Sequence, residues 1–474
     1  MQLYLLSQVP EEGGQEGSIE IDGLRWKLTA HDLDTLDAED IRFICVSYTW
    51  GERRLSSPFH PSYDISDRTI PALNAVVGYR PSCTRIWIDA FCVPVGDTTT
   101  TTPERAHTLE SMGYIYSRAE EVVVVLSAAA RPVLEHMSTS DRLVDPVHLD
   151  VLEREEWVSR AWTYQEAANS KVLSITCEES QGSILVPGSH FLNCLGYTLT
   201  RLDGSIPAGD RRQRYPRLDA FEDLIAEHLL AGYTERAALQ VMANMDRRTQ
   251  HRQEDHFYAM MGAISTERPS SLLPPVRQDP CEAFMALCER KGDYSFMYSA
   301  APRDHDTSKR WRPVAGDHLP AILPWHCYGE GQPGYEEGGS LYLELMMSLG
   351  ISSVNESAKE CVRAWLAASK FVVSVASGGE SLPESAYAAL RAMGFTGSPA
   401  CVTTSHGFFF PWERISSGHE ITVLVATAVR WSFGAPGLAR CGGGDGGGHG
   451  EETYIPGVFF GRVDNAAAVS VRVS

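Results

Sequence analysis

The chain has 474 residues, 43% of them hydrophobic and 22% charged, a profile that implies two or three globular domains and excludes collagen-like, disordered and disulfide-stapled classes. Its net charge of −20 excludes broad, non-specific nucleic-acid binding, which needs a basic footprint; a local basic patch remains at Arg247, Arg248 and Arg252. The strongest apolar run, residues 122–126 with Ala128, Ala129 and Ala130 behind it, is far too short for a membrane span, and the first seven residues lack the basic start of a secretory signal.

The eleven cysteines are scattered, odd in number and without a C-x-x-C pair. They read as free thiols, several of them core residues, in a reducing cytoplasm. No Cys/His spacing suits zinc, so no metal is expected.

Residues 1–40 are acidic and uneven, with a turn at Glu11-Glu12-Gly13-Gly14, and read as a lead-in carrying a hairpin or one strand. Regular structure begins at residues 41–48, a nearly continuous apolar run that predicts a strand buried on both faces and ending at Trp50-Gly51. A polar loop follows, then a helix from Pro71 to Tyr79 with Thr69 as its N-cap. Residues 85–93 predict a second strand, and the threonine run 98–102 a loop. Residues 104–119 predict one helix, because Leu109, Met112, Tyr116 and Ala119 recur on one face; Gly113 inside it marks a cost or a close-packing point. Residues 120–127, with four consecutive valines, predict a third strand, and residues 171–178 a fourth.

This alternation predicts an α/β domain over residues 41–205, a parallel sheet flanked by helices. Residues 206–300 read as helical, with helices at 221–230, 255–264 and 281–290. From about residue 310 Trp, Gly and Pro rise and short β-like runs appear at 340–346, 371–376, 401–404, 421–429 and 454–460, with helices at 361–367 and 383–393. Residues 310–474 are therefore expected to form a β-rich C-terminal domain, with a Gly-rich loop at 442–450 as a hairpin tip.

Ligands of parallel sheets bind beyond the carboxyl ends of the strands. Tyr48, Trp50 and Gly51 close the first predicted strand and Asp89 the second. Trp162 and Glu166 stand four apart in a helix-favouring segment, which places an aromatic ring and a carboxylate on one face. Each residue has two readings. Tyr48 and Trp50 either stack on a ligand ring or pack the sheet edge. Gly51 either admits a ligand against the backbone or closes a turn. Asp89 either holds sugar hydroxyls or caps a helix. Arg105 and Arg160 either fork onto phosphate or pair with Asp89 and Glu166. Cys92 reads as core, His107 being its only close histidine in sequence; His251 and His256 read as surface or packing residues.

Three ordered motifs resemble the heterokaryon-incompatibility (HET) domain family. Val46-Ser47-Tyr48-Thr49-Trp50-Gly51 is like its "S-Y-x-W-G", and Trp87-Ile88-Asp89-Ala90-Phe91-Cys92 is like its "W-I-D-a-x-C". Arg160-Ala161-Trp162-Thr163-Tyr164-Gln165-Glu166 is like its "R-x-W-x-x-Q-E", and Asp255-His256-Phe257-Tyr258-Ala259-Met260-Met261-Gly262 is like a later "D-x-x-Y-a-l-x-G". Two positions depart: Val93-Pro94-Val95 stands where the family often has "I-N-Q", and Val125-Leu126-Ser127 where it often has "W-L-G".

The resemblance implies an effector in self/non-self recognition, immunity or regulated cell death, distantly similar to TIR domains, with a flavodoxin- or TIR-like sheet. NAD-cleaving TIR domains place a Glu four residues after a Trp, as Trp162 and Glu166 do, although the Ser expected two before the Trp is Arg160 here. The implied chemistry is NAD(P) glycohydrolysis, with NAD as substrate, no cofactor, and Glu166 and Asp89 as catalytic residues. Tyr48, Trp50, Gly51, Arg105, Arg160 and Trp162 would bind the substrate. The other classes left open are a non-enzymatic, self-assembling signalling module and a different small-molecule enzyme. The expected partners are a nucleotide, further copies of the chain and an unidentified protein trigger, with neither membrane nor nucleic acid.

Overall fold

The structure, a computed structural model, describes residues 2–10, 17–32, 41–60, 63–94, 102–139, 145–180, 182–205, 214–230, 236–267, 279–303, 309–369, 381–416, 420–442 and 452–473. The chain forms two compact units that do not follow chain order. The first comprises residues 1–205, 211–230 and 248–278, and the second residues 206–210, 231–247 and 279–474. Among the described residues no helix is long and apolar enough to cross a membrane.

The first unit is built on an eight-stranded sheet. Three N-terminal strands, β1 (Gln2–Gln8), β2 (Ser18–Ile21) and β3 (Leu24–Asp32), form an antiparallel meander. The lead-in is thus three strands of the sheet rather than a separate hairpin. Next come β4 (Ile44–Tyr48), the hairpin strands β5 (Arg54–Ser56) and β6 (Asp64–Ser66), helix α1 (Thr69–Tyr79), β7 (Arg85–Trp87) and the short helix α2 (Asp89–Cys92). Helices α3 (Pro103–Glu110) and α4 (Met112–Arg118) lead to β8 (Glu121–Leu126), α5 (Arg131–Thr139), α6 (Pro146–Arg154), α7 (Ala161–Ala168), β9 (Leu173–Cys177), β10 (Val186–Pro187) and α8 (Gly188–Ser205). The later helices of this unit are α9 (Pro216–Leu230) and α10 (Asp255–Ile264).

The strands lie in the order β10-β9-β8-β4-β7-β1-β3-β2. The middle four, β9, β8, β4 and β7, are parallel, whereas β1 joins β7 and β10 joins β9 antiparallel. The expected parallel sheet is therefore a mixed one with a parallel centre. In chain order its parallel strands run second, first, third, fourth, so the winding reverses beside β4. Every residue of β4, β8 and β9 is buried, as strands covered on both faces require.

Local chemistry corrects three expectations. The second strand stops at Trp87, because Asp89 turns the chain into α2 and accepts the Ala90 N–H at 2.7 Å. A short apolar run does not by itself separate strand from helix. The single helix over 104–119 is two, parted at Ser111, whose hydroxyl donates to the His107 carbonyl at 2.6 Å; such back-bonding competes with the helix ladder. Thr69 is the first residue of α1 rather than its cap, and its hydroxyl is taken by Tyr48 at 2.8 Å. Gly113 is a close-packing point: a Cβ there would lie 2.4 Å from the Gly262 carbonyl oxygen of α10.

The second unit holds another eight-stranded sheet, antiparallel throughout, whose main path includes Ser340–Gly350, Ile421–Ala426, Gly434–Cys441, Thr453–Gly461 and Gly407–Pro411 in spatial order. Its core packs Met347, Phe409, Val423, Val425, Ala435, Ala439 and Phe459. Helices Glu356–Ala368 and Leu382–Ala392 belong to this unit, each with a side-chain-capped N-terminus. Helix Pro280–Lys291 is held at one end by Asp279, which accepts from Cys281 and Glu282 N–H, and at the other by Gly292 at φ 76°. The expected strand at 371–376, the threonine loop up to residue 101 and the Gly-rich tip from residue 443 lie outside the described residues.

Candidate active site

The cleft opens at the carboxyl ends of β4 and β7. Sheet geometry assembles it. Successive side chains of a strand point to opposite faces, so the last two residues of β4 serve two walls. Ser47 reaches α7, donating to Glu166 Oε2 at 2.5 Å, while Tyr48 reaches α1 through Thr69. Just past β7, Asp89 Oδ2 accepts the indole N–H of Trp50 at 2.8 Å. The cavity has a volume of about 270 Å³, close to the lower bound of roughly 300 Å³ for small-molecule sites.

Of the residues singled out in the sequence, Tyr48, Trp50, Asp89, Arg105, Arg160, Trp162 and Glu166 all line this one cavity. Gly51 does not. Its N–H donates to Ser66 Oγ at 2.9 Å, and a Cβ on it would meet Asp67 Oδ1 at 2.5 Å, so it packs against the β5–β6 hairpin. Sequence reasoning did not place Arg54, Tyr63, Val93, Leu109, Met112, Thr163, His251, Arg252 and Asp255, which complete the lining. Asp255 was the one within reach, since it opens the run ending at Gly262.

Glu166 is 7% exposed. No arginine among the described residues forms an ion pair with it; its partners are hydroxyls. Ser47 donates to one oxygen and in turn accepts the Trp157 indole N–H at 2.7 Å, and Tyr116 also donates to the carboxylate. Burial pushes the Glu166 carboxyl up to about 7; the Ser47 hydrogen bond and the Arg160 charge oppose the rise, while the Asp89 charge adds to it. Burial also raises Asp89, against the Trp50 hydrogen bond, the Arg160 charge, the Ala90 N–H and the Tyr48 hydroxyl. Two carboxylates in one cleft thus both favour the proton more than in water, and each feels the guanidinium of Arg160.

The far wall comes from residues 248–264, which bind α7 from outside. Thr249 donates to the Ser159 carbonyl at 2.8 Å and accepts the Ala161 N–H at 2.9 Å. The Arg248 guanidinium lies 5.0 Å from the centre of the Tyr164 ring and donates to the Val158 and Arg160 carbonyls. Asn169 Nδ2 donates to the Gly262 carbonyl at 2.7 Å. The Trp162 indole donates to Asp255, whose carboxyl burial raises. This wall thus holds the Trp162 indole in the lining that it shares with Trp50 and Tyr63.

Residues 43–166 match the family model of the heterokaryon incompatibility protein (HET), so the chain carries a HET domain over this stretch. No curated protein and no solved structure matches the chain. The matched stretch begins just before β4 and ends at Glu166; β9, β10 and the wall from 248–264 lie beyond it.

Proposed function

We propose that the chain is an effector of heterokaryon incompatibility or a related cell-death response, and that it acts as an NAD(P) glycohydrolase. The observation that carries this reading is the convergence of a buried carboxyl poised near neutrality, Glu166, with Asp89, aromatic rings and guanidinium groups in one cleft. The parallel order 2-1-3-4 supports a flavodoxin- or TIR-like doubly wound domain.

The chemistry suits the residues. Nicotinamide bound as a pyridinium is a cation, which aromatic faces such as Trp50 and Trp162 attract. When the C1′–N bond breaks, its electron pair passes to the ring nitrogen and neutral nicotinamide leaves. No general acid is needed. Positive charge then builds on the ribosyl carbon and ring oxygen, and the Glu166 carboxylate stabilises it directly or as a transient ester that water opens. The cationic substrate itself favours ionised Glu166. Ser47, held by Trp157, keeps the carboxylate aimed. Asp89, oriented by the Trp50 and Ala90 N–H groups, accepts ribose hydroxyls.

The test is release of nicotinamide from NAD by the purified full-length chain, assayed dilute and at concentrations that permit self-assembly. Glu166→Ala should lower kcat by at least about a hundredfold and Asp89→Ala should raise KM, both with unchanged circular dichroism. If wild type releases no nicotinamide under either condition, the enzymatic reading falls and a non-catalytic signalling role replaces it.

A further inference from the structure

The cleft divides its positive charges. Arg160 acts on the carboxylate end, where it opposes the rise of both Asp89 and Glu166. Arg105 and Arg252 act on the phenol of Tyr63, and Arg252 also on the Asp255 carboxyl. Burial raises that phenol and the Asp89 charge adds to the rise, while the two guanidinium charges counter it, Arg105 also donating to its oxygen.

Among the described residues no tight ion pair neutralises either of these two arginines. Arg105 Nη1 donates to the Pro94 carbonyl at 3.3 Å, and no carboxylate among the described residues pairs with it. Arg252 faces Glu254 at 3.5 Å, with both side chains close to half exposed. An ion pair of that kind contributes about 0–1 kcal/mol and holds neither partner firmly. Two guanidinium groups that act on one phenol and line one cavity, in a chain of net charge −20, form a local anion site against the overall field. Guanidinium groups match phosphate oxygens in pairs.

We propose that Arg105 and Arg252, with the Tyr63 hydroxyl, hold a phosphate group of the substrate, so that the cleft takes a phosphate-bearing N-ribosyl compound in preference to its bare nucleoside. The identity of the cleaved bond rests on the function proposed above; the phosphate hold rests on Arg105, Arg252 and Tyr63. Arg252 stands outside residues 43–166. One of the two phosphate arginines is therefore supplied by the segment that Thr249 and Arg248 fasten to α7.

Nicotinamide mononucleotide and nicotinamide riboside differ by one phosphate and serve as the paired probes. Binding of each to the full-length chain is measured by calorimetry at two salt concentrations, together with nicotinamide release from the same samples. The mononucleotide should bind at least about tenfold more tightly than the riboside. Added salt should shrink that margin. Arg252→Ala should abolish most of the margin while leaving riboside binding within about twofold, and Arg252→Glu should invert it. The Arg252 side chain is 53% exposed, so both variants should keep the wild-type melting curve. Equal binding of the two probes, no binding of either, or a margin that survives Arg252→Ala would overturn the proposal. Phosphate-dependent binding without nicotinamide release would leave it standing and remove the glycohydrolase reading. Release from both probes with equal kcat/KM would do the reverse.

Discussion

Each unit of the molecule buries a carboxylate almost completely, and the two are satisfied in opposite ways. Asp293 of the second unit, 4% exposed, accepts three backbone N–H groups, from Ala238 at 2.6 Å and from Ser295 and Gln332 at 2.9 Å. It ties a helix start, a short 3₁₀ turn and a loop together, a structural knot. Glu166 of the first unit receives only side-chain hydroxyls and lines a cavity. Backbone donors cannot leave a carboxylate, whereas hydroxyls rotate and exchange partners as charge develops nearby. An elevated pKa alone does not make this distinction. Asp246 of the second unit is also lifted to about 7 by burial, while taking the Ala321 N–H at 2.8 Å. What separates Glu166 is its company: a second carboxylate, an arginine acting on both, and aromatic rings in one cleft.

Substitutions sharpen the contrast, because the two carboxylates should move stability in opposite directions. Asp293→Ala leaves three buried N–H groups unpaired, at about 1–3 kcal/mol each, so chemical denaturation should register a loss of more than about 3 kcal/mol. A loss under about 1 kcal/mol would contradict the knot. Glu166→Gln should instead stabilise the protein at neutral and alkaline pH. Glu166 has a folded pKa of about 7, above its ordinary value of 4.5. Below pH 4.5 it is protonated in both states and contributes no difference. As pH rises from 4.5 to 7 the unfolded chain ionises first, so native stability falls until it levels off near 7. The variant should gain about 3 kcal/mol over wild type at pH 8 and nothing at pH 4. Paired denaturation curves at those two pH values check it, and an equal gain at both would refute the linkage.

Ser47→Ala comes next. It removes the donor to Glu166 and strands the Trp157 indole N–H, costing about 1–3 kcal/mol. It should also move the acidic limb of any pH–rate profile upward, because that hydrogen bond holds the Glu166 pKa down. The smallest effect is expected of Thr69→Val, which deletes one buried hydroxyl contact with Tyr48. It should cost about 1 kcal/mol and leave the pH profile in place.

The sequence exposed the parallel centre of the first unit because its strands are continuous apolar runs, such as 121–126, separated by helical periodicity. The site residues at strand ends followed from the same pattern. The meander in residues 1–32 was hidden by polar residues that face outward on antiparallel strands, as in Leu24–Asp32, where exposure alternates unevenly. The break at Ser111 and the turn at Asp89 depend on single side-chain hydrogen bonds, which periodicity does not register. The placing of His251, Arg252 and Asp255 in the cleft was illegible for another reason, although the motif that Asp255 opens was visible. Their segment approaches α7 from about ninety residues away in sequence, through contacts such as Thr249 with Ser159, and local pattern holds no information about such pairing. Seven of the eight residues singled out nevertheless line one cavity, and the eighth, Gly51, packs against Asp67 beside it.

The join between the meander and the parallel centre deserves a kinetic reading. Strand β1 pairs with β3 over seven residues but with β7 over only two, Leu6 with Ile86 and Ser7 with Arg85. A ladder that long on one side and that short on the other forms a seam. The meander can therefore open as a unit while its own hydrogen bonds stay closed, a sub-global fluctuation cheaper than unfolding the sheet. Deuterium would enter along that seam ahead of β4 and β8, and the β7 strand leading to Asp89 would be the first part of the cleft's foundation to feel it.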